Sequence, residues 1–206
     1  MLMVLDSYRS TADKFLIPLS KPFMKINPNT ISLFSLIFAG LTGLLFYLGG
    51  VLILVSFATL VLSALFDAID GKVARLRNLS SKKGDLMDHV LDRYSDILIM
   101  LGFIFSVHAQ VWIGLLAVIG VLLTSYMGVQ SQALGLKRNY SGILGRADRL
   151  VFMLIFILLQ FFISYHFVIY GVLITPINVL LIWFAIAGNI TAVMRFRDTY
   201  SALGPS

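Results

Sequence analysis

The 206-residue sequence has no cysteine, so no disulfide framework holds it and its redox compartment is left open. Charge is scarce too: 13% of residues are charged, 59% are hydrophobic, and mean hydropathy is +0.92. Soluble domains carry about 25% charged residues. The composition therefore excludes an ordinary soluble enzyme and predicts one membrane-embedded domain. The sequence shows no strand-like alternation and no convincing internal repeat. Nor is a cleavable signal peptide expected: the N-terminus is polar and acidic by Asp6 and lacks an apolar core followed by a cleavage site.

What the chain does have is long apolar runs. Residues 29–48, 51–76, 84–107, 110–133, 146–165 and 175–194 are each long enough to cross about 30 Å of hydrocarbon. They predict an all-α integral membrane fold of six transmembrane helices. Ahead of them, Lys14, Lys21 and Lys25 alternate with Phe15, Leu16, Ile17, Leu19 and Phe23, and Pro18 and Pro22 interrupt any long helix. Residues 1–26 thus read as an amphipathic segment lying in the membrane interface, and residues 27–206 as the membrane domain. Asn29 or Thr30 is expected to cap the first helix. Residues 166–176 read as an uncharged connection.

The charges are one-sided. All 16 Lys and Arg fall in the N-terminal segment, the loops after the second and fourth runs, the C-terminus, or helix ends adjoining them. The turns after the first, third and fifth runs carry none. This positive-inside pattern places both termini in the cytoplasm. The net charge of +6 therefore lies at a membrane face, where it meets anionic lipid and phosphorylated substrates, and it does not signal nucleic acid. All ten acidic residues fall on the same side. A metal or ion transporter needs a polar route through both halves of the membrane. A polar cavity open on one side suits an enzyme at the cytoplasmic face instead.

The chemistry is concentrated in residues 67–92, DAIDGKVARLRNLSSKKGDLMDHVLD. A carboxylate in hydrocarbon is costly unless it is paired or bound to metal. Asp67 and Asp70 are three apart, Asp88 and Asp92 four apart, so on helices each pair projects from one face. Facing pairs would form an oxygen-rich cage suited to Mg²⁺, Mn²⁺ or Ca²⁺. Gly71 and Ala74 lie beside the first pair, where small side chains admit a bulky ligand, and Arg75 is placed to grip a phosphate. Gly84 is expected just before the second helix. His89 points about 100° away from Asp88 and reads as non-ligating. Asp85 suits a first helical turn, and Asp96 is expected to pair with Arg93 or Arg149.

Asp67, Asp70, Gly71, Ala74, Arg75, Gly84, Asp88 and Asp92 stand at the spacing of a family signature. In these eight positions the chain resembles the CDP-alcohol phosphotransferases, integral-membrane enzymes of phospholipid head-group synthesis. The resemblance implies transfer of a phosphatidyl-type group from a CDP-linked lipid, CDP-diacylglycerol or CDP-archaeol, to an alcohol, with release of CMP. It implies two Mg²⁺ or Mn²⁺ ions on Asp67, Asp70, Asp88 and Asp92, with Asp92 as general base. It also implies a CDP site formed by Asn29, Asp67, Gly71, Ala74, Arg75 and Gly84, and a homodimer among membrane lipids. Asn29 enters through the Pro-Asn pair that opens the first run.

The acceptor is read from other cations. Lys137, Arg146, Arg149 and Arg195 converge on the cytoplasmic face from three segments and could hold the phosphate of a phosphorylated polyol. Arg138 and Arg197 read as topology and lipid anchors. The stretch GRADRL, residues 145–150, resembles the Arg-x-acid-Arg element of inositol-phosphate-using members. Inositol phosphate is therefore expected over glycerol 3-phosphate or serine.

Overall fold

The computed structural model describes residues 9–79, 81–163 and 166–204, with side chains from Lys14 onward. The first eight residues of the N-terminal segment and the last two of the fifth apolar run lie outside the described residues. The elements are α1 (Arg9–Ser20), a 3₁₀ turn (Lys21–Phe23), α2 (Pro28–Leu48), α3 (Leu52–Leu76), α4 (Lys82–Ile104), α5 (Val111–Ala133), α6 (Arg146–Phe162), β1 (Phe167–Ile169), β2 (Val172–Ile174) and α7 (Pro176–Ala202). They form two compact units that divide between Gly102 and Phe103.

In the first unit α1 keeps Pro18 in its last turn and stops at Ser20, before the 3₁₀ turn that contains Pro22. Phe23 meets the edge of Phe66 at 5.7 Å, and Phe66 stacks on Phe38 at 5.4 Å. Phe23, Met24 and Ile26 pack around buried Ile31, Ile69 and Val73. The cap of α2 differs from expectation. Asn27, not Asn29 or Thr30, accepts the Asn29 N–H at 3.0 Å, because Pro28 takes the first helical position, where its missing N–H costs nothing.

Hydroxyls join α2 to α3. Ser35 and Ser63 each donate to the other's carbonyl at 2.9 Å, and Thr42 Oγ1 donates to Thr59 Oγ1 at 3.0 Å. With no hydrophobic drive between helices in lipid, small residues and interhelical hydrogen bonds of this kind supply association. Gly43 and Gly102 bring α2 and α4 into direct backbone contact. Gly84 is inside the first turn of α4 rather than ahead of it, because Ser81 Oγ accepts the Gly84 N–H at 3.1 Å and the helix starts at Lys82.

In the second unit α5 and α7 meet at Gly120 and Gly188, and Thr124 Oγ1 donates to the Gly188 carbonyl at 2.8 Å. The connection over residues 166–176 is a β-hairpin, where no strand was expected. Tyr170 and Gly171, with φ of 50° and 78°, form its turn. Strands of three residues are too short to show alternation. Gln110 and Asn178 satisfy the hairpin backbone: Gln110 Nε2 donates to Gly171 O at 2.8 Å, and Asn178 Nδ2 to Leu173 O at 2.6 Å. Helix α7 continues to Ala202, past the expected end at 194, so Arg195 and Arg197 are helical. A helix leaving hydrocarbon needs no further apolar residues, and its arginines can reach out along their stems.

Among the described residues four helices, α2, α3, α5 and α7, are long and apolar enough to cross a membrane. Of the other two expected spans, α4 opens with charged turns and α6 has 17 residues.

Candidate active site

The final turns of α3 and the first turns of α4 supply the carboxylates. Asp67, Asp70 and Asp88 each offer one oxygen, and these three atoms lie within 4.8 Å of one another. Both carboxylates of the first pair and Asp88 of the second, separated by a loop in the sequence, thus share one site. Asp88, His89 and Asp92 form a second group with ligand atoms within 4.8 Å. Asp88 belongs to both. His89, set aside on helical geometry, turns its ring toward two carboxylates, one of them a helical turn earlier: its Nε2 is 3.5 Å from Asp85 Oδ1 and its Nδ1 3.8 Å from Asp88 Oδ2.

Asp70 is buried near Ser32, whose hydroxyl donates to Pro28 O at 3.1 Å, and Asp70 Oδ2 has no hydrogen-bond partner. A buried acceptor left unmade costs about 1–3 kcal/mol, more when charged. An oxygen so placed, beside two further carboxylates, fits a hard divalent cation. The residues present therefore suit a metal, with Asp67, Asp70 and Asp88 as the natural holders.

Asp92 is buried one turn further along α4. Arg93 stands between two carboxylates, with Nη2 3.6 Å from Asp92 Oδ2 and Nε 3.9 Å from Asp96 Oδ2. Asp96 thus pairs with Arg93, one of the two partners expected for it. The second contact, to Asp92, was not anticipated.

A cavity of about 480 Å³ opens beside the carboxylates, and Asn29, Gly71, Ala74, Arg75 and Gly84 all line it with Asp70 and Asp88. A Cβ on Gly71 would meet only the Arg75 Nη2, at 3.8 Å. The missing side chain there leaves ligand space rather than satisfying a helix contact. Ser32 and Ser81 also line the cavity. Their sequence signal is faint, since a serine in an apolar helix or a loop is ordinary.

The cations assigned to the acceptor lie in the second unit. Arg146 and Arg149 are in the first turn of α6, where Asp148 accepts the Gly145 N–H at 2.9 Å. Arg149 is 1% exposed, a degree of burial that a lipid anchor would not have. Arg195 is buried: its Nε donates to Ser141 O at 2.8 Å and its Nη1 to Thr124 O at 2.6 Å. Lys137 and Arg197 are exposed.

Helices long and apolar enough to cross a membrane, with three clustered carboxylates beside a cavity, define an integral-membrane protein with a candidate metal site. The chain belongs to the CDP-alcohol phosphatidyltransferase family, whose model matches residues 25–191; it is a transferase of the membrane. It is 34% identical to an uncharacterized protein of Aquifex aeolicus over 71% of this chain and 77% of the relative. It is 35% identical to the archaetidylinositol phosphate synthase of Methanothermobacter thermautotrophicus, over 47% of this chain and about half (49%) of the relative's length. The fold is shared with Mycobacterium tuberculosis phosphatidylinositol phosphate synthase (PgsA1). Its structure with CDP-DAG bound has a TM-score of 0.77 and 21% identity, covering 91% of this chain and 94% of that one. Its structure in complex with manganese and citrate has a TM-score of 0.77 and 22% identity, covering 90% and 89%.

Proposed function

We propose that this transferase moves the phosphatidyl-type group of a CDP-linked lipid to inositol phosphate and releases CMP. The observation that carries the reading is the Asp67, Asp70 and Asp88 group, with its unpartnered Asp70 oxygen, at the wall of a cavity that the signature residues line. The named synthases among the relatives support inositol phosphate, as does the GRADRL stretch.

Two bound Mg²⁺ or Mn²⁺ ions would neutralise charge on the diphosphate and on the departing CMP. Asp67, Asp70 and Asp88 would hold the metal, with Asp92 joining them through the group it forms with Asp88. Asn29, Gly71, Ala74, Arg75 and Gly84 bind the CDP moiety, Arg75 by charge and the small residues by leaving room. Asp92 takes the proton of the acceptor hydroxyl. The hydroxyl oxygen then bonds to the lipid-side phosphorus, and the bond from that phosphorus to CMP breaks. Lys137, Arg146, Arg149 and Arg195 hold the acceptor phosphate. The enzyme works as a six-span homodimer with termini and site at the cytoplasmic face, and residues 1–26 rest in the interface.

The test is CMP release by the purified enzyme with CDP-lipid and a panel of inositol phosphate, glycerol 3-phosphate, inositol and serine. Inositol phosphate should give the highest kcat/KM, and chelation of divalent ions should stop turnover. A preference for serine or free inositol would overturn the acceptor assignment.

A further inference from the structure

Helix α7 grips the loop between α5 and α6 along its length. Thr191 Oγ1 accepts two loop N–H groups, from Ile143 at 3.1 Å and Leu144 at 3.2 Å. Arg195 Nε donates to Ser141 O at 2.8 Å, and Ser141 Oγ donates to Asp198 Oδ2 at 2.6 Å. Gly142, at φ +119°, lies so close to Thr191 that a Cβ there would collide with it. Thr191 is fully buried. A threonine inside a helix ordinarily directs its hydroxyl to its own preceding turn; this one serves a segment 47 residues away in the chain.

A loop needs no such grip merely to connect two helices, for which about 2–8 residues suffice. Residues 135–145 include three glycines, and such a stretch is mobile unless it is held. Yet it carries Lys137 and runs directly into Arg146 and Arg149. A phosphate pocket works only when its donors are fixed to within about 0.5 Å.

We propose that Thr191, together with the Ser141–Asp198 pair, is a positioning device for the acceptor-phosphate cations. Thr191 fixes the last turn of the loop and with it the start of α6; Ser141 and Asp198 fix the middle. None of the three touches the reacting atoms. The inference rests on the reading that Lys137, Arg146 and Arg149 hold the acceptor phosphate.

The test uses Thr191→Val, which keeps shape and removes the accepting oxygen, Thr191→Ser, which keeps the oxygen, and Ser141→Ala. Acceptor and CDP-lipid KM are read from CMP release. Thiol labelling of Tyr140→Cys, at an exposed loop position in a chain with no other cysteine, reports loop order. Thr191→Val should raise acceptor KM about tenfold, the effect of losing one or two hydrogen bonds, with CDP-lipid KM within twofold. Labelling should speed up, and Thr191→Ser should restore both readouts. Ser141→Ala should move the same way by a smaller factor, and it decides the matter if Thr191→Val does not fold. Acceptor KM unchanged in the variants, or CDP-lipid KM rising in step, overturns the proposal while a wild-type enzyme using inositol phosphate keeps the acceptor reading intact. A wild-type preference for unphosphorylated acceptors overturns both, and it is seen before any variant is made.

Discussion

Gly43 of α2 and Gly102 of α4 touch backbone to backbone, with no side chain between them. A Cβ on Gly102 would enter the Gly43 peptide group, and one on Gly43 would enter the Leu98 carbonyl. The helix held this closely is the one that carries Asp88 and Asp92.

Alanine at either glycine is therefore expected to destabilise the protein by about 1–3 kcal/mol, the usual cost of overpacking. Gly40→Ala is the control, since its Cβ would meet Leu98 Cδ1 at an ordinary 3.7 Å. Thermal unfolding in detergent should rank Gly40→Ala near wild type and Gly43→Ala and Gly102→Ala well below it. Equal midpoints for all three would contradict the close approach.

The carboxylates should divide their labour. Asp67→Asn, Asp70→Asn and Asp88→Asn each remove a member of the group within 4.8 Å. Each should weaken Mn²⁺ binding, followed by electron paramagnetic resonance, by at least about tenfold. Asp92→Asn should abolish turnover while keeping most of that binding. Near-normal turnover in Asp92→Asn would remove it from the role of base.

The carboxylate site was legible because hydrocarbon makes each charge expensive. Four aspartates at helical spacing in an apolar chain had few readings other than a shared site. Ser32 was not legible, nor was the contact of Arg93 with Asp92, because a hydroxyl near Asp70 or a guanidinium shared by two carboxylates gains meaning only from the packing. The cap at Asn27 was misjudged because Pro28 draws the helix start one step earlier. The hairpin over residues 167–174 was invisible for want of length. The end of α7 was missed because hydropathy marks where hydrocarbon stops, not where the helix does.

His108, in the turn before α5, gives a pH prediction. Its Nδ1 faces the Gln160 side-chain nitrogen at 3.3 Å, and Gln160 Oε1 accepts the Ile177 N–H at 3.1 Å, which fixes the amide. That arrangement wants a neutral imidazole accepting at Nδ1. Burial, and after it His166, push the His108 pKa below its ordinary 6.5. The unfolded chain therefore takes up the proton first as pH falls. The stabilisation is complete above about pH 6.5 and is lost as pH drops through the lowered folded value. The midpoint of unfolding should fall between pH 7 and 5, and His108→Gln should flatten that slope. An unchanged slope would assign the acid sensitivity elsewhere.

Orientation can be read with single cysteines. Tyr170 is fully exposed at the hairpin turn, and Gly50 is exposed in the turn after α2. Cysteine at Gly50, Ala109 or Tyr170 should react with an impermeant thiol reagent applied to intact cells, and cysteine at Ser81 or Asn139 should not. Labelling at Ser81 would reverse the topology.

The acceptor prediction rests on burial. Arg149 is 1% exposed, whereas Arg197 is exposed on α7. An arginine that served only topology or lipid attraction would sit like Arg197, in water or among head groups, at a gain of about 1 kcal/mol. A buried guanidinium is held in place by the protein around it, and one held this way could offer a preorganised fork to a phosphate dianion. A hydrogen bond to a charged group contributes about 1.5–3 kcal/mol. Arg149→Gln should therefore raise acceptor KM, or lower kcat/KM, by roughly ten- to a hundredfold, with little change in CDP-lipid KM. Arg146→Gln should act in the same direction. Arg195→Gln should do so too, but it also loses the bonds to Ser141 and Thr124, so its thermal midpoint should drop as well. Arg197→Gln should be mild in every readout. If Arg149→Gln and Arg197→Gln prove alike, with acceptor KM unmoved, the buried arginine is a packing element of α6 and the acceptor phosphate is held elsewhere.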